Sequence, residues 1–391
     1  LKASRSHRYL NIYSGSASIK GDIFVYSVKI YGAGSIGNHL AHACRTKGWD
    51  VLICDIDPDA LKRTREDIYP SRYGHWDPDI LLSEADTGSG EGFDMVIIGT
   101  PPDTHINVAT RVLENNPPKV LLIEKPLCTP SLDGVQRIID LKKATGTFVA
   151  VGYNHTLTEN SRHAARILAK NTIGDPITIS ACFREHWGGI FTAHPWLSGP
   201  KDTYLGFSER GGGAGGEHSH AINIWQRFAH LVGAGRIVEV SSTMDMVVDG
   251  IVKYDRICLL NVKTQAGLVG DIAQDVVTEP PQKKVRVQGS DGFLEWFVNL
   301  DGEHDAVRYR DGKGKVIEET IQKTRPDDFK GEIDFIEVIL NGGDPADAPI
   351  SLEKGLETML VIAAAYVSHR HKRTVRINYD GGYGPEAFEI S

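Results

Sequence analysis

The chain has 391 residues, 41% of them hydrophobic and 24% charged, with a formal net charge of −8. That length holds two or three ordinary domains. An acidic balance without a basic cluster excludes a nucleic-acid or anionic-membrane surface, and no apolar run reaches the ~20 residues of a membrane-spanning helix. The five cysteines (Cys44, Cys54, Cys128, Cys182, Cys258) are odd in number, far apart and without a Cys-x-x-Cys pair. They predict reduced thiols in a cytoplasmic protein and supply no zinc motif.

Residues 1–22 are polar and Ser-rich, without a period or a signal-peptide pattern, and are read as a leader or arm with no assigned function. From Phe24 to Tyr31 a β-branched, aromatic run predicts a buried strand. It enters G-x-G-x-x-G at Gly32, Gly34 and Gly37. The segment 38–49 reads as a helix, with Ile36, Leu40, Ala43 and Cys44 on one face and Gly48 at its end. A second strand, Val51 to Cys54, stops at Asp55, 18 residues after Gly37. Strand, glycine turn, helix, strand and acid in this order form a dinucleotide-binding fingerprint. Gly32 permits the tight turn, Gly34 lets a pyrophosphate approach the backbone, and Gly37 lets helix and strand pack closely. Ser35 and Ile36 open the helix, whose free N–H groups attract phosphate. Asp55 suits a ribose 2′-OH and repels a 2′-phosphate, and no Arg follows it directly, so NAD is expected rather than NADP.

A short helix is expected over 58–68 and a loop-rich stretch over 69–92. Buried strands follow at 93–99 and 120–123, with helices at 104–115 and 131–144 and a strand at 147–152. The first of these strands is stopped by Thr100-Pro101-Pro102, with His105 just beyond; the next ends in Glu124-Lys125-Pro126. Tyr153-Asn154-His155 closes the last. Thr100, Pro101, His105, Glu124, Lys125 and Asn154 therefore sit at carboxyl strand ends, where ligands bind in such sheets, and join the cofactor candidates.

G-A-G-S-I-G, G-T-P-P-D-T-H, E-K-P-L and V-G-Y-N-H, in this order and spacing, resemble the glucose-fructose oxidoreductase, inositol dehydrogenase and MocA (Gfo/Idh/MocA) family. Ile173-Gly174-Asp175-Pro176, the glycine run 211–213 before an acid and a histidine, and a closing helix and strand over 351–377 extend the likeness to residues 25–378. The resemblance implies an α/β chain: an N-terminal Rossmann dinucleotide-binding domain (23–152), then a C-terminal α+β domain with a large, mostly antiparallel open sheet (153–391). It also implies carbohydrate metabolism and a homodimer or homotetramer formed through the C-terminal sheet.

The second half supports that division. A helix is expected over 161–170 and a strand over 178–187, then a long irregular stretch over 188–216. Strands are expected at 237–244, 251–264, 268–277, 283–288 and 293–299, with helices at 329–341 and 352–370 and a peripheral tail over 380–391. Without intervening helices those strands must pair antiparallel.

The chemistry is expected around 215–223, G-G-E-H-S-H-A-I-N. On one helix Glu217, His220 and Asn223 line one side, while His218 points elsewhere, so no two-histidine metal site arises and no metal is expected. The resemblance makes His220 the acid/base and Lys125 the group that holds the substrate oxygen. The family's acid stands four residues before that histidine, where this chain has Gly216. Glu217 and His218 therefore both remain candidates to assist. Tyr153, Arg184, His186, His194, Trp196, Tyr204 and Asn223 are the substrate candidates, suited to a sugar, polyol, sugar acid or nucleotide sugar. The leading expectation is an NAD-dependent sugar or polyol dehydrogenase. The alternatives are internal recycling of a tightly bound NAD and a non-catalytic NAD-binding regulator.

Overall fold

The computed structural model describes residues 25–84 and 92–391. The expected leader over 1–22, Phe24 of the first expected strand, and 85–91 of the expected loop lie outside these residues.

The first half builds a six-stranded parallel sheet in the order β3-β2-β1-β4-β5-β6. Its elements are β1 (Ser27–Tyr31), α1 (Ser35–Thr46), β2 (Asp50–Cys54), α2 (Pro58–Arg63), α3 (Tyr69–Tyr73), β3 (Ile80–Ser83), β4 (Met95–Ile98), α4 (Pro102–Asn115), β5 (Val120–Ile123), α5 (Val135–Thr145) and β6 (Phe148–Val151). Every residue of β4, β5 and β6 is buried. Helices cover both faces, so these strands are continuous apolar runs rather than alternating ones. The strand order reverses between β1 and β4, and the crevice at their carboxyl ends is where such sheets bind ligands. The loop expected over 69–92 is corrected at two places. Tyr69–Tyr73 is helical because Pro70 sits in a first turn, where its missing N–H has no partner to lose. Ile80–Ser83 pairs with β2 as the sheet edge.

The second half continues with α6 (Glu159–Ala169), β7 (Pro176–Arg184), α7 (Gly188–Ala193), α8 (Gly213–Glu217), α9 (His220–Leu231), β8 (Ile237–Asp249), β9 (Val252–Thr264), β10 (Val269–Asp275), β11 (Gln282–Gly289), β12 (Phe293–Val298), β13 (His304–Arg310), β14 (Val316–Gln322), α10 (Arg325–Leu340), α11 (Leu352–His371), β15 (Val375–Ile377) and β16 (Phe388–Ile390). They form a ten-stranded sheet, β14-β13-β12-β11-β7-β10-β9-β8-β15-β16. All its pairs are antiparallel except β7 with β10. Buried and exposed residues alternate along β9, so one face packs on α9 and α11 and the other is open. Trp225 on α9 is fully buried and its Nε1 donates to the Ile179 carbonyl (2.9 Å), anchoring the helix to β7. Three expectations are corrected. The stretch over 188–216 is not irregular but carries α7 and a series of short helical turns. Strands β13 and β14 are present where none was expected, because Arg308, Glu318 and Glu295 link them to β12 through charged rather than apolar cross-strand contacts. The tail is not merely peripheral, since β16 pairs with β15.

The later chain also returns to the first sheet. Phe329 of α10 stacks on His39 of α1 at 4.8 Å, and Lys47 pairs with Asp334 and Glu337. The start of α11 packs on β6, where Val151 N–H donates to the Ile350 carbonyl (2.8 Å). The crevice between the sheets is thereby closed from behind. Among the described residues no helix is long and apolar enough to cross a membrane.

Candidate active site

The first wall of the crevice is the glycine loop. Gly32 has φ 106°, and a Cβ there would lie 2.7 Å from the Gly99 carbonyl oxygen; at Gly37 it would lie 2.1 Å from that of Gly32. Gly34 differs: its φ of −80° suits any residue, yet a Cβ there would meet nothing within 4 Å. The space over Gly34 is open, and the N-terminus of α1 has no side-chain cap. That arrangement fits a dinucleotide pyrophosphate. The loop is braced from behind. Asn38 Nδ2 donates to the Gly34 carbonyl (2.8 Å) and to Thr64 Oγ1 (3.0 Å), and Thr64 Oγ1 donates to the Ala33 carbonyl (2.6 Å). Ser35 accepts from Arg72 through its carbonyl (2.9 Å) and its hydroxyl (2.8 Å), and Ile36 packs on the core. Asp55 Oδ2 accepts from Ala33 N–H (2.7 Å), so the acid at the end of β2 also shapes the loop.

The other carboxyl strand ends divide. Pro101 is exposed at the crevice, and the Thr100 and Thr104 hydroxyls bond at 2.7 Å beside it. His105, expected at the cofactor, is wholly enclosed, with Nε2 2.6 Å from the Thr100 carbonyl and Nδ1 3.1 Å from that of Pro126. It ties the β4 and β5 turns together, and burial lowers its pKa. Glu124 and Asn154 are each 7% exposed, so their side chains also lie behind the surface. Burial pushes the Glu124 carboxyl up to about 7, against the pull of Lys125.

Lys125 is the centre of the second wall. Its Nζ donates to the Glu217 carbonyl (2.9 Å) and to Glu217 Oε2 (3.1 Å). An ammonium has three hydrogens, so one is left to point at a substrate oxygen. Burial would raise the Glu217 carboxyl, but Lys125 and then His218 outweigh it and hold it below the usual range. The single helix expected over Glu217 to Asn223 is corrected. Glu217 ends α8, His218 and Ser219 break the chain, and His220 begins α9. Gly213 sets where the first piece begins: it has φ 78°, and a Cβ there would lie 2.0 Å from Asp255 Oδ1. Asp255 in turn accepts from Gly215 N–H (2.7 Å) and the Tyr366 hydroxyl (2.5 Å). Gln274 Nε2 donates to the His218 carbonyl (2.7 Å).

His220 lies beside His155, with ring centroids 4.5 Å apart, and 5.6 Å from the Tyr153 ring. Burial pushes its pKa well below the ordinary value, and the neighbouring His155, Lys125 and Lys283 push the same way. Burial also takes His218 down to about 4, against the attraction of Glu217. Both rings are therefore neutral near pH 7, and a neutral imidazole can accept a proton. Tyr153 is fully buried, its ring perpendicular to that of His220. Burial raises the phenol of Tyr204, as do Glu217, Glu124 and Asp103.

The remaining substrate candidates are engaged elsewhere. Arg184 sits 3.4 Å from Asp275, and His186 accepts from Gly188 N–H at 3.0 Å. His194 and Trp196 pack edge to face, with Arg63 over the Trp196 ring. Asn223 is buried and donates to Thr358. Sequence reasoning missed His155, Lys283, Asp255 and Gln274. His155 was legible as the fourth residue after β6, but the other three come from strands whose partners the sequence does not name. Among the described residues no group of three His, Cys, Asp or Glu side chains is arranged to hold a metal.

Residues 26–153 match the profile of a family described as an oxidoreductase family with an NAD-binding Rossmann fold. The scyllo-inositol 2-dehydrogenase (NAD(+)) of Bacillus subtilis (strain 168) is 34% identical over 110 residues, 26% of this chain and 31% of that protein. Inositol 2-dehydrogenase 1 of Saccharopolyspora erythraea is 32% identical over 136 residues, 34% of this chain and 38% of that protein. The matches thus span about a third of each curated relative. In fold the likeness runs much further. A levoglucosan dehydrogenase solved with NADH and levoglucosan superposes with a TM-score of 0.72 at 16% identity, covering 90% of this chain and 99% of that one. An aldose-aldose oxidoreductase from Caulobacter crescentus, complexed with glycerol, gives 0.69 at 19% identity, covering 90% and 100%.

Proposed function

We propose that this chain, whose residues 26–153 match the NAD-binding Rossmann fold of the Gfo/Idh/MocA oxidoreductase family, is an NAD-dependent dehydrogenase acting on a secondary alcohol of a polyol or sugar. Residues 23–152 hold the cofactor, and residues 153–391 bind the substrate and form the oligomer through the open sheet. The observation that carries this reading is Lys125, fixed by two bonds to Glu217 beside the neutral His220. NAD, when bound, supplies the hydride acceptor. The chain supplies the rest. Gly32, Gly34, Gly37 and the start of α1 receive the pyrophosphate, and Asp55 favours a ribose 2′-OH over a 2′-phosphate. Lys125 directs its remaining N–H at the substrate hydroxyl and stabilises the oxygen as negative charge develops on it. His220 takes the hydroxyl proton at an imidazole nitrogen. Glu217 orients Lys125 and, by balancing its charge, keeps the pair from repelling a protonated His220 in the reverse reaction. This assigns Glu217 rather than His218 as the assisting residue. The cytoplasm is the proposed compartment, supported by the thiols enclosed in the core at Cys44, Cys128 and Cys258.

The test is NADH absorbance with NAD and a panel of inositols, aldoses and sugar acids, with Lys125→Ala alongside. NADH formation from one of these classes, lost in the variant, is the expected result. A protein that binds no nicotinamide nucleotide refutes the reading of the glycine loop.

A further inference from the structure

We propose, resting on that dehydrogenase reading, that the site selects a neutral polyol over a sugar acid, and that Lys283 and Glu185 make the selection by holding substrate hydroxyls as a fixed donor–acceptor pair. The strand register places them. Lys283 of β11 and Gln274 of β10 both lie opposite Phe183 of β7, and residues directly opposite across strands share a face. Phe183 is 1% exposed and its ring lies 5.9 Å from that of His155, the neighbour of His220. Gln274 holds the His218 carbonyl. The row Lys283–Phe183–Gln274 is therefore the floor beneath the histidines. Glu185 follows directly after β7, and its ion pair with Lys283 holds it at that end of the row. Lys283 Nζ meets Glu185 Oε2 at 2.5 Å, with the two side chains 21% and 37% exposed. Further along the same face of β11, Val285 and Val287 are fully buried. The pair thus sits where the apolar floor gives way to the open crevice. The lowered pKa of His220 and of His218, to which Lys283 contributes, agrees with that placement.

The charges then decide the substrate class. Lys125 is matched by Glu217 and Lys283 by Glu185. A substrate carboxylate would have to displace a protein carboxylate from its cation and leave that carboxylate unpaired in the crevice. A hydroxyl accepts from the Lys283 ammonium and donates to Glu185 with the pair intact. Vicinal hydroxyls can use both groups at once.

The experiment measures binding without turnover, by calorimetry on the full chain saturated with NADH, which cannot accept hydride. The probes are myo-inositol, a neutral cyclic hexol, and D-glucuronate, a carboxylate of similar size. Wild type is expected to bind myo-inositol at least tenfold tighter than glucuronate. Lys283→Met should weaken myo-inositol binding about tenfold. Glu185→Gln leaves the Lys283 charge unmatched and should tighten glucuronate binding about tenfold over wild type. The inference is overturned if wild type prefers glucuronate, if Glu185→Gln leaves glucuronate affinity within twofold, or if none of the three proteins binds either probe. NADH formation in parallel mixtures with NAD reports the dehydrogenase reading separately, so the two can fail independently.

Discussion

Replacing Glu217 by Gln removes one charge and almost no volume, which makes it a direct probe of how Lys125 is held. Two bonds fix the ammonium, one to the Glu217 main-chain carbonyl and one to its carboxylate. The substitution keeps the first and exchanges the second for a bond to a neutral amide. A hydrogen bond with a charged partner contributes about 1.5–3 kcal/mol. Spent wholly at the transition state, that is about 10- to 150-fold in rate. The surviving carbonyl contact places the expected loss in the lower part of that range, about 10- to 30-fold in kcat with KM changed less than threefold. The Lys125 and Glu217 side chains are only 12% and 20% exposed, so solvent does little to screen the loss. Stability should fall as well, with a pH signature. The Glu217 carboxyl is held below its usual range, so its contribution is full above the unfolded value of about 4.3 and is lost as pH falls through the folded value. The gap in unfolding midpoint between wild type and Glu217→Gln should therefore be constant from pH 8 to pH 5 and close below pH 4. Steady-state kinetics and urea melts across that pH range make the measurement. A variant with kcat within twofold of wild type and an unchanged melt at pH 7 would refute the argument that Glu217 orients Lys125.

Gly34→Val and Gly37→Ala should separate cofactor binding from folding. The first should leave the melting temperature within about 1 °C and abolish NADH binding by fluorescence, because its side chain enters open space over the loop. The second should lower the melting temperature, because its Cβ meets the Gly32 carbonyl at 2.1 Å. His220→Asn should lower kcat/KM by about 10²–10⁴-fold. Because burial already keeps His220 neutral, the wild-type profile should show no acid limb near pH 6.5 that vanishes in this variant. Glu124→Gln should have a pH-dependent effect of the opposite sense to that at Glu217. Its folded pKa is raised to about 7, so the carboxyl's stabilising contribution is full below the unfolded value near 4.3 and is lost as pH rises through 7. The variant should therefore gain stability relative to wild type between pH 5 and pH 8, measured by thermal melts at both.

The cofactor half was legible because its signals are local. A buried parallel strand is a continuous apolar run, a glycine turn needs glycine, and the acid ending β2 follows within one βαβ unit, so Val28 to Asp55 carries its own structure. Lys125 and His220 stand out as candidates through motifs of a few residues each. How these groups meet is not local. A strand's sequence states which of its faces is apolar but not which strand lies beside it. Only the register of β7, β10 and β11 shows that Gln274, Phe183 and Lys283 form one row under the histidines. The turn between Glu217 and His220 is likewise held by Gln274, whose Nε2 donates to the His218 carbonyl from a strand 56 residues further on. Burial decided the remaining differences. His105, Glu124 and Asn154 hold the strand-end positions expected of cofactor ligands, yet His105 is enclosed between the turns after β4 and β5, and the returning α10 packs on β5 and the Asn154 turn. The chemistry of each residue was thus readable from its type and its near neighbours, whereas the pairing of charges and the exclusion of water belong to contacts between segments far apart in the chain.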